Sequence, residues 1–236
     1  MVLVSTEPER ERSEPEHLAA SADMATARAA HAHAPSTIFC DLETDGLAYP
    51  WLDMGRRIWE IGAIVRKAGK PDSEHHAFIA LADLEFDPVT PGHSRRTSPD
   101  IGGFYERHPQ LSRNHDPRTS ADVLTYAQAT QMLVALFDDE TTFVGAVPSF
   151  DAESILHLLA TNSAPLPENQ IAPWRPRLVC VWSLIAGRFA IPAKALDRRL
   201  ACELLHLDPD SYTHHSALDD CRWARDAYDA LISEPQ

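Results

Sequence analysis

Three short apolar runs come before any helical periodicity in this chain, and that order restricts the folds open to it. Residues 37–40 (Thr-Ile-Phe-Cys) run straight into Asp41, as a buried strand ending at a polar edge does. Residues 58–65 (Ile-Trp-Glu-Ile-Gly-Ala-Ile-Val) read as a second strand and 76–82 as a third, with a turn near Gly69-Lys70-Pro71 between them. Helical and strand patterns then alternate: a helix over about 120–137, a strand over 141–147, a helix over 151–160, a strand over 178–181 with a short helix after it, and helices over 194–205 and 217–232. An antiparallel meander followed by alternating helices and strands is the pattern of an α/β domain with a mixed, five-stranded sheet flanked by helices.

Residues 1–35 have a different texture. Glu, Arg, Ser, Pro and Ala dominate and no aromatic residue occurs, so this stretch is expected to be a disordered acidic, Ala-rich tail, with Met24 as an alternative start. The remaining 36–236 would form one domain. The N-terminus lacks the basic and apolar regions of a secretory signal, and no apolar stretch approaches the ~20 residues of a membrane span, so a cytoplasmic protein without membrane contact is expected. Cys40, Cys180, Cys202 and Cys221 show no metal-ligand spacing and read as reduced, buried thiols. The segment 83–120 is rich in Pro, Ser, Arg, Asp and His and reads as a long irregular loop.

The formal charge of −14 argues against tight, non-specific duplex binding, since polyanion binders usually carry a basic footprint. Residues 1–35 account for −3 of it, leaving −11 for the rest. Such a charge is compatible with a carboxylate site that cations neutralise, gripping a few nucleotides at a chain end.

Three clusters carry the candidate chemistry. Asp41 and Glu43 lie two residues apart at a strand end, which puts both carboxylates on one face of the pleat, where they repel unless a cation sits between them. Asp151 follows Ser149-Phe150 where a strand gives way to a helix; alone it reads as a first-turn acid. His215-Ser216-Ala217-Leu218-Asp219-Asp220 opens the last helix. Asp220 rather than Asp219 is expected to face inward, because Leu218 and Trp223 would then mark different faces, and His215 reaches the same place if it lies in the preceding loop.

The ordered set resembles the three motifs of the DEDDh, or DnaQ-like, 3′–5′ exonucleases of the ribonuclease H-like superfamily. Asp41 and Glu43 match the D-x-E of the first motif, Asp151 the aspartate of the second, and His215, Ala217 and Asp220 the H-x-A-x-x-D of the third. Asp41-Leu42-Glu43-Thr44-Asp45-Gly46-Leu47 is close to the family's usual wording, and the likeness runs from about Ser36 to Ile232. One position departs: Val147 stands about where many members carry an asparagine in the second motif.

The resemblance implies a ribonuclease H-like sheet and two-metal hydrolysis with two Mg²⁺ or Mn²⁺ ions. Asp41 would bridge both ions, Glu43 and Asp220 would hold the one that carries the attacking water, and Asp151 would act mainly on the second. His215 would be the general base. Thr44 and Leu47 match positions that contact the terminal nucleotide, and Phe150 is grouped with them as substrate-binding. The implied activity is 3′–5′ trimming of single-stranded DNA or RNA ends to nucleoside 5′-monophosphates, with DNA set ahead of RNA. An exoribonuclease or oligoribonuclease-like enzyme is the alternative, and a non-catalytic nucleic-acid-binding module on the same fold is the third reading. The N-terminal tail would be the tether to a polymerase or replication partner. Arg95, Arg96, Arg107, Arg113 and Arg118 in the long loop could guide a phosphate backbone, although a solvated loop explains them as well.

Overall fold

A computed structural model describes residues 36–44, 58–79, 123–137, 140–162, 172–174 and 177–233, all within the unit Pro35–Gln236. The expected tail over 1–35, the whole of the 83–120 loop with its five arginines, and Leu47 lie outside the described residues.

Among the described residues the strands are β1 (Thr37–Thr44), β2 (Ile58–Arg66), β3 (Ser73–Ile79), β4 (Val123–Leu124), β5 (Thr142–Gly145) and β6 (Leu178–Cys180), joined in the order β4-β3-β2-β1-β5-β6. The helices are α1 (Tyr126–Leu136), α2 (Pro148–Thr161), α3 (Val181–Phe189), α4 (Arg198–Leu205) and α5 (Ala217–Ile232). β1, β2 and β3 form the antiparallel meander; β5 runs parallel to β1, β6 to β5 and β4 to β3, so the sheet is mixed. The expected count of five strands becomes six. The additional one, β4, has two residues and occupies a stretch that the helical pattern assigns to a helix. α1 starts later, at Tyr126, capped by Thr125, whose hydroxyl oxygen accepts from the Gln128 amide at 3.2 Å while Gln128 Oε1 accepts from the Thr125 amide at 2.9 Å. Two residues are too few to show alternation, so the cap is the only local signal of that boundary.

Alternation along β1 sorts the core. Ile38, Cys40 and Leu42 pack on one face with Ala129 and Leu133 of α1 and Ile155 and Leu159 of α2. Phe39 points to the other face, with Ile64 and Val144, against Val181, Ile185, Cys202, Cys221 and Trp223 from α3, α4 and α5. The sheet is therefore the middle of three layers. Asp41 and Glu43 continue the Phe39 row, so they face the α5 side at the end of β1. β5 ends beside them: a Cβ on Gly145 would lie 3.1 Å from the Cys40 carbonyl oxygen. The carboxyl ends of two adjacent parallel strands thus meet at one edge, the usual ligand-binding edge of open α/β sheets. Cys40, Cys202 and Cys221 are buried free thiols and Cys180 is a partly buried one. No described helix is long and apolar enough to cross a membrane.

Candidate metal centre

Asp41, Glu43 and Asp220 each present a carboxylate oxygen within 4.8 Å of the other two. Two come from the end of β1 and the third from the first turn of α5, a helix whose positive N-terminal end favours the pair Asp219 and Asp220. Asp220 is the inward residue. Asp219 instead ties down the loop before the helix: its Oδ2 accepts from the Thr213 amide at 3.0 Å and its Oδ1 from Arg222 Nη1 at 2.7 Å. Burial opposes ionisation of Asp219, but those donors prevail and hold its carboxyl below the usual range.

The three clustered carboxylates behave the opposite way. Burial, then Asp220, Glu60 and Asp151, push Glu43 up to about 9. Asp41 is raised well above the usual range by burial first and then by Asp151, Asp220, Glu43 and Glu60. Asp220 is raised by burial, although Arg198 and the two histidines pull against it. Asp151 is buried in the first turn of α2, and its charge acts on both Asp41 and Glu43, although it is not one of the three with oxygens inside 4.8 Å. Mutually repelling carboxylates converging on one place, only partly offset by Arg198, suit a hard divalent cation, so the residues present could hold a metal ion.

His215 Nδ1 lies 3.8 Å from Glu43 Oε1, with the side chain 46% exposed, so the ring stands between the carboxylates and solvent. Its backbone is left-handed, φ 59°. Among the described residues two other non-glycine positions share that conformation, Ala190 and His206, and both close helices as αL caps. His215 closes no helix; it precedes the Ser216 cap of α5, so its conformation is held by the loop around it. His214 turns elsewhere, its Nδ1 3.5 Å from Arg198 Nη1. Thr44 lies past a register shift at the end of β1, and Phe150 is half-buried in the first turn of α2. Val147 is 51% exposed at the N-cap of α2 and supplies no capping side chain.

Solved structures share this architecture. A zinc-bound form of an E. coli exonuclease I complex with single-stranded DNA is 17% identical with a TM-score of 0.55, and E. coli exonuclease I with a dT13 oligonucleotide is 15% identical at 0.55. An exonuclease I structure described as suggesting how processivity is achieved is 14% identical at 0.56. Each match covers 84% of this chain but only 40–41% of the other. The fold is ribonuclease H-like. No family profile and no curated protein matches the chain.

Within this ribonuclease H-like frame, three residues reach the site that the motifs do not include. Arg198 is the first residue of α4; its Nη1 bonds Asp220 Oδ1, and its guanidinium lies over the rings of Trp223 at 5.1 Å and Tyr212 at 5.7 Å, which accept a cation without hydrogen bonds. A basic residue in the first turn opposes the helix dipole and is a signal that could have found it. Glu60 is 1% exposed on β2 in register with Glu43, and Gly62 lies in register with Asp41. A carboxylate and a glycine inside an otherwise apolar strand are the signals there.

Proposed function

We propose that the chain is a metal-dependent 3′–5′ exonuclease of the DEDDh type, with residues 36–236 as its catalytic domain, acting on single-stranded ends with DNA ahead of RNA. The observation that carries this reading is the convergence of Asp41, Glu43 and Asp220 within 4.8 Å, with His215 beside Glu43. The likeness in fold to exonuclease I, solved with single-stranded DNA, supports it.

In this reading Asp41, Glu43 and Asp220 would hold one ion, and Asp41 and Asp151 would contribute to holding a second. A divalent ion there would lower the pKa of a bound water and offset charge on the scissile phosphate. His215, half-exposed beside Glu43, takes the proton from the attacking water. The water oxygen bonds to phosphorus, the bond to the 3′ oxygen of the preceding nucleotide breaks, that oxygen takes a proton from solvent to become the new 3′ hydroxyl, and a nucleoside 5′-monophosphate leaves. Thr44, at the end of β1, and Phe150, in the first turn of α2, are proposed to meet the terminal nucleotide, with Leu47. Because the ions would screen much of the anionic charge at the contact, an acidic chain can still hold one strand end.

The test is degradation of 5′-labelled single-stranded DNA and RNA oligonucleotides with Mn²⁺, with Mg²⁺ and with EDTA. A metal-dependent ladder shortening from the 3′ end is expected, and the faster substrate decides between DNA and RNA. Metal binding without any ladder on either substrate would remove the exonuclease assignment and favour a binding module.

A further inference from the structure

We infer that Glu60 and Gly62 on β2 form a seat that fixes the first turn of α5, and so sets where Asp220 and His215 stand relative to Asp41 and Glu43. Both are positioning residues, and the inference rests on the metal-centre reading above.

Two independent observations meet at Ala217, the first residue of α5. Its backbone N–H is one of the donors that a helix start leaves without an intrahelical partner, and the Ser216 cap makes no side-chain bond to the helix. Glu60 Oε1 accepts from that N–H at 3.2 Å, reaching across from the sheet. The same oxygen accepts from His76 Nε2 at 2.8 Å, and the His76 ring stands edge-on to Phe78 at 4.9 Å, so the carboxylate is oriented from β3 as well. Glu60 therefore does for α5 what a capping side chain does elsewhere, from 157 residues away in sequence.

Gly62 supplies the room. A Cβ built on it would lie 2.4 Å from the Ala217 carbonyl carbon, 2.5 Å from its oxygen and 2.6 Å from the Leu218 nitrogen. All three are backbone atoms, so no rotamer change relieves the contact. Carbon–carbon contacts settle near ~3.5 Å, so any side chain here would push the start of α5 outward by on the order of 1 Å. Gly62 pairs with Asp41 and Glu60 with Glu43 across the β1–β2 ladder. The two points that hold α5 are thus the ladder partners of the two β1 carboxylates. One helical turn separates Ala217 from Asp220, and His215 precedes the cap by one residue, so both move with the seat.

The test pairs Glu60→Met with Glu60→Gln. The bonds from Ala217 and His76 both go to Oε1, and a glutamine carbonyl oxygen can accept both; methionine fills the volume and accepts neither. Turnover on a single-stranded oligonucleotide, Mn²⁺ affinity, melting temperature and hydrogen exchange of the Ala217 amide are read together. Glu60→Met should lose roughly 10–100-fold in Mn²⁺ affinity and kcat, as loss of a partner behind a metal ligand does, with KM nearly unchanged and the Ala217 amide exposed. Glu60→Gln should restore all of these. Gly62→Ala should lower kcat by about 100-fold through displacement alone. Wild-type kcat and Mn²⁺ affinity in Glu60→Met overturn the inference. Equal impairment in Glu60→Gln also overturns it, because charge rather than the bond would then matter. A rapidly exchanging Ala217 amide in the wild-type protein overturns it whatever the variants do. If the wild-type protein neither binds Mn²⁺ nor cleaves, the exonuclease reading falls, while protection of Ala217 in wild type and Glu60→Gln but not Glu60→Met still supports the seat.

Discussion

Replacing Glu43 by glutamine should make the chain more stable in EDTA while destroying its metal centre. Burial and three neighbouring acids push Glu43 from 4.5 up to about 9. Between those two values the folded chain binds a proton that the unfolded chain has released, so stability falls as pH rises through that window and is full below it. Each pH unit there costs about 1.4 kcal/mol, so by pH 7 folding has lost on the order of 3 kcal/mol at this group. Glutamine keeps the shape and titrates nowhere in the range. In EDTA at pH 7, Glu43→Gln should therefore melt above wild type by roughly 6–12 °C for a domain of this size. At pH 5 the two should nearly coincide, and the gap should widen again at pH 8.5. Comparing two proteins at each pH cancels titrations remote from the centre, such as that of the salt-bridged Glu74, which Arg222 holds below the usual carboxylate range; Asp41, raised in part by Glu43, does not cancel and is relieved by the same substitution. Mn²⁺ should reverse the order, raising the wild-type melting temperature more at pH 8 than at pH 5 because protons must leave the ligands, and raising the variant little. Scanning calorimetry across pH decides it. Equal melting temperatures for the two proteins in EDTA at pH 7 and 8.5 would refute the claim that these carboxylates repel in the folded state.

Asp41→Ala should abolish turnover with the circular dichroism spectrum retained; surviving activity would remove the assignment of the centre. His215→Ala should slow hydrolysis by about 10²-fold or more while Mn²⁺ still binds, and His214→Ala should do little; the reverse order in a steady-state assay would mean that the other histidine is the base. Asp219→Ala should cost about 1 kcal/mol through the lost Thr213 and Arg222 bonds, read by denaturant melts, yet keep far more turnover than Asp220→Ala.

The legible part of this chain is the part written in local pattern. Residues 58–65 announce β2 because eight positions in a row suit a buried strand, and β2 is buried on both faces over Ile58–Val65. The D-x-E spacing places Asp41 and Glu43 on one face because a pleat repeats every two residues, and the choice of Asp220 over Asp219 follows from the apolar positions around it. What escapes is set by long-range pairing. β4 is two residues long and owes its existence to β3, which it meets through the pairs Phe78 with Val123 and Ile79 with Leu124. Helix starts at Pro148 and Arg198 are displaced by several residues from the expected 151 and 194, because a proline at the first helical position and an aspartate cap, Asp197 to the Leu200 amide at 2.8 Å, fix them more sharply than hydrophobic period does. Arg198, Glu60 and Gly62 are each visible as local oddities, but the target of each lies elsewhere in the chain.

Those oddities share one cause. A centre built from carboxylates is self-repelling in the folded state, so the elements that carry it would separate unless something unrelated to the metal holds them together. Here β1 is held by the sheet and α2 follows β5 directly, which leaves α5 as the element free to retreat. It is fastened along its length by bonds that do not involve the centre: Arg222 to Glu74 on β3 at 2.5 and 3.0 Å, and Arg66 on β2 to Asp229 at 2.5 and 2.9 Å, near the far end of the helix. Those pairs are partly exposed, and each contributes little alone. Trp223, Ala224 and Ala227, buried against the sheet, hold the helix more strongly than the ion pairs do. At the acidic end itself Ala217 and Cys221 are buried and Arg222 pairs with Asp219, but Asp220 faces the other carboxylates, which repel it. Arg198 on Asp220 and the Glu60 bond to Ala217 stand at that end, which is why a cation is turned onto the carboxylates and a buried acid occurs within an apolar stretch of β2.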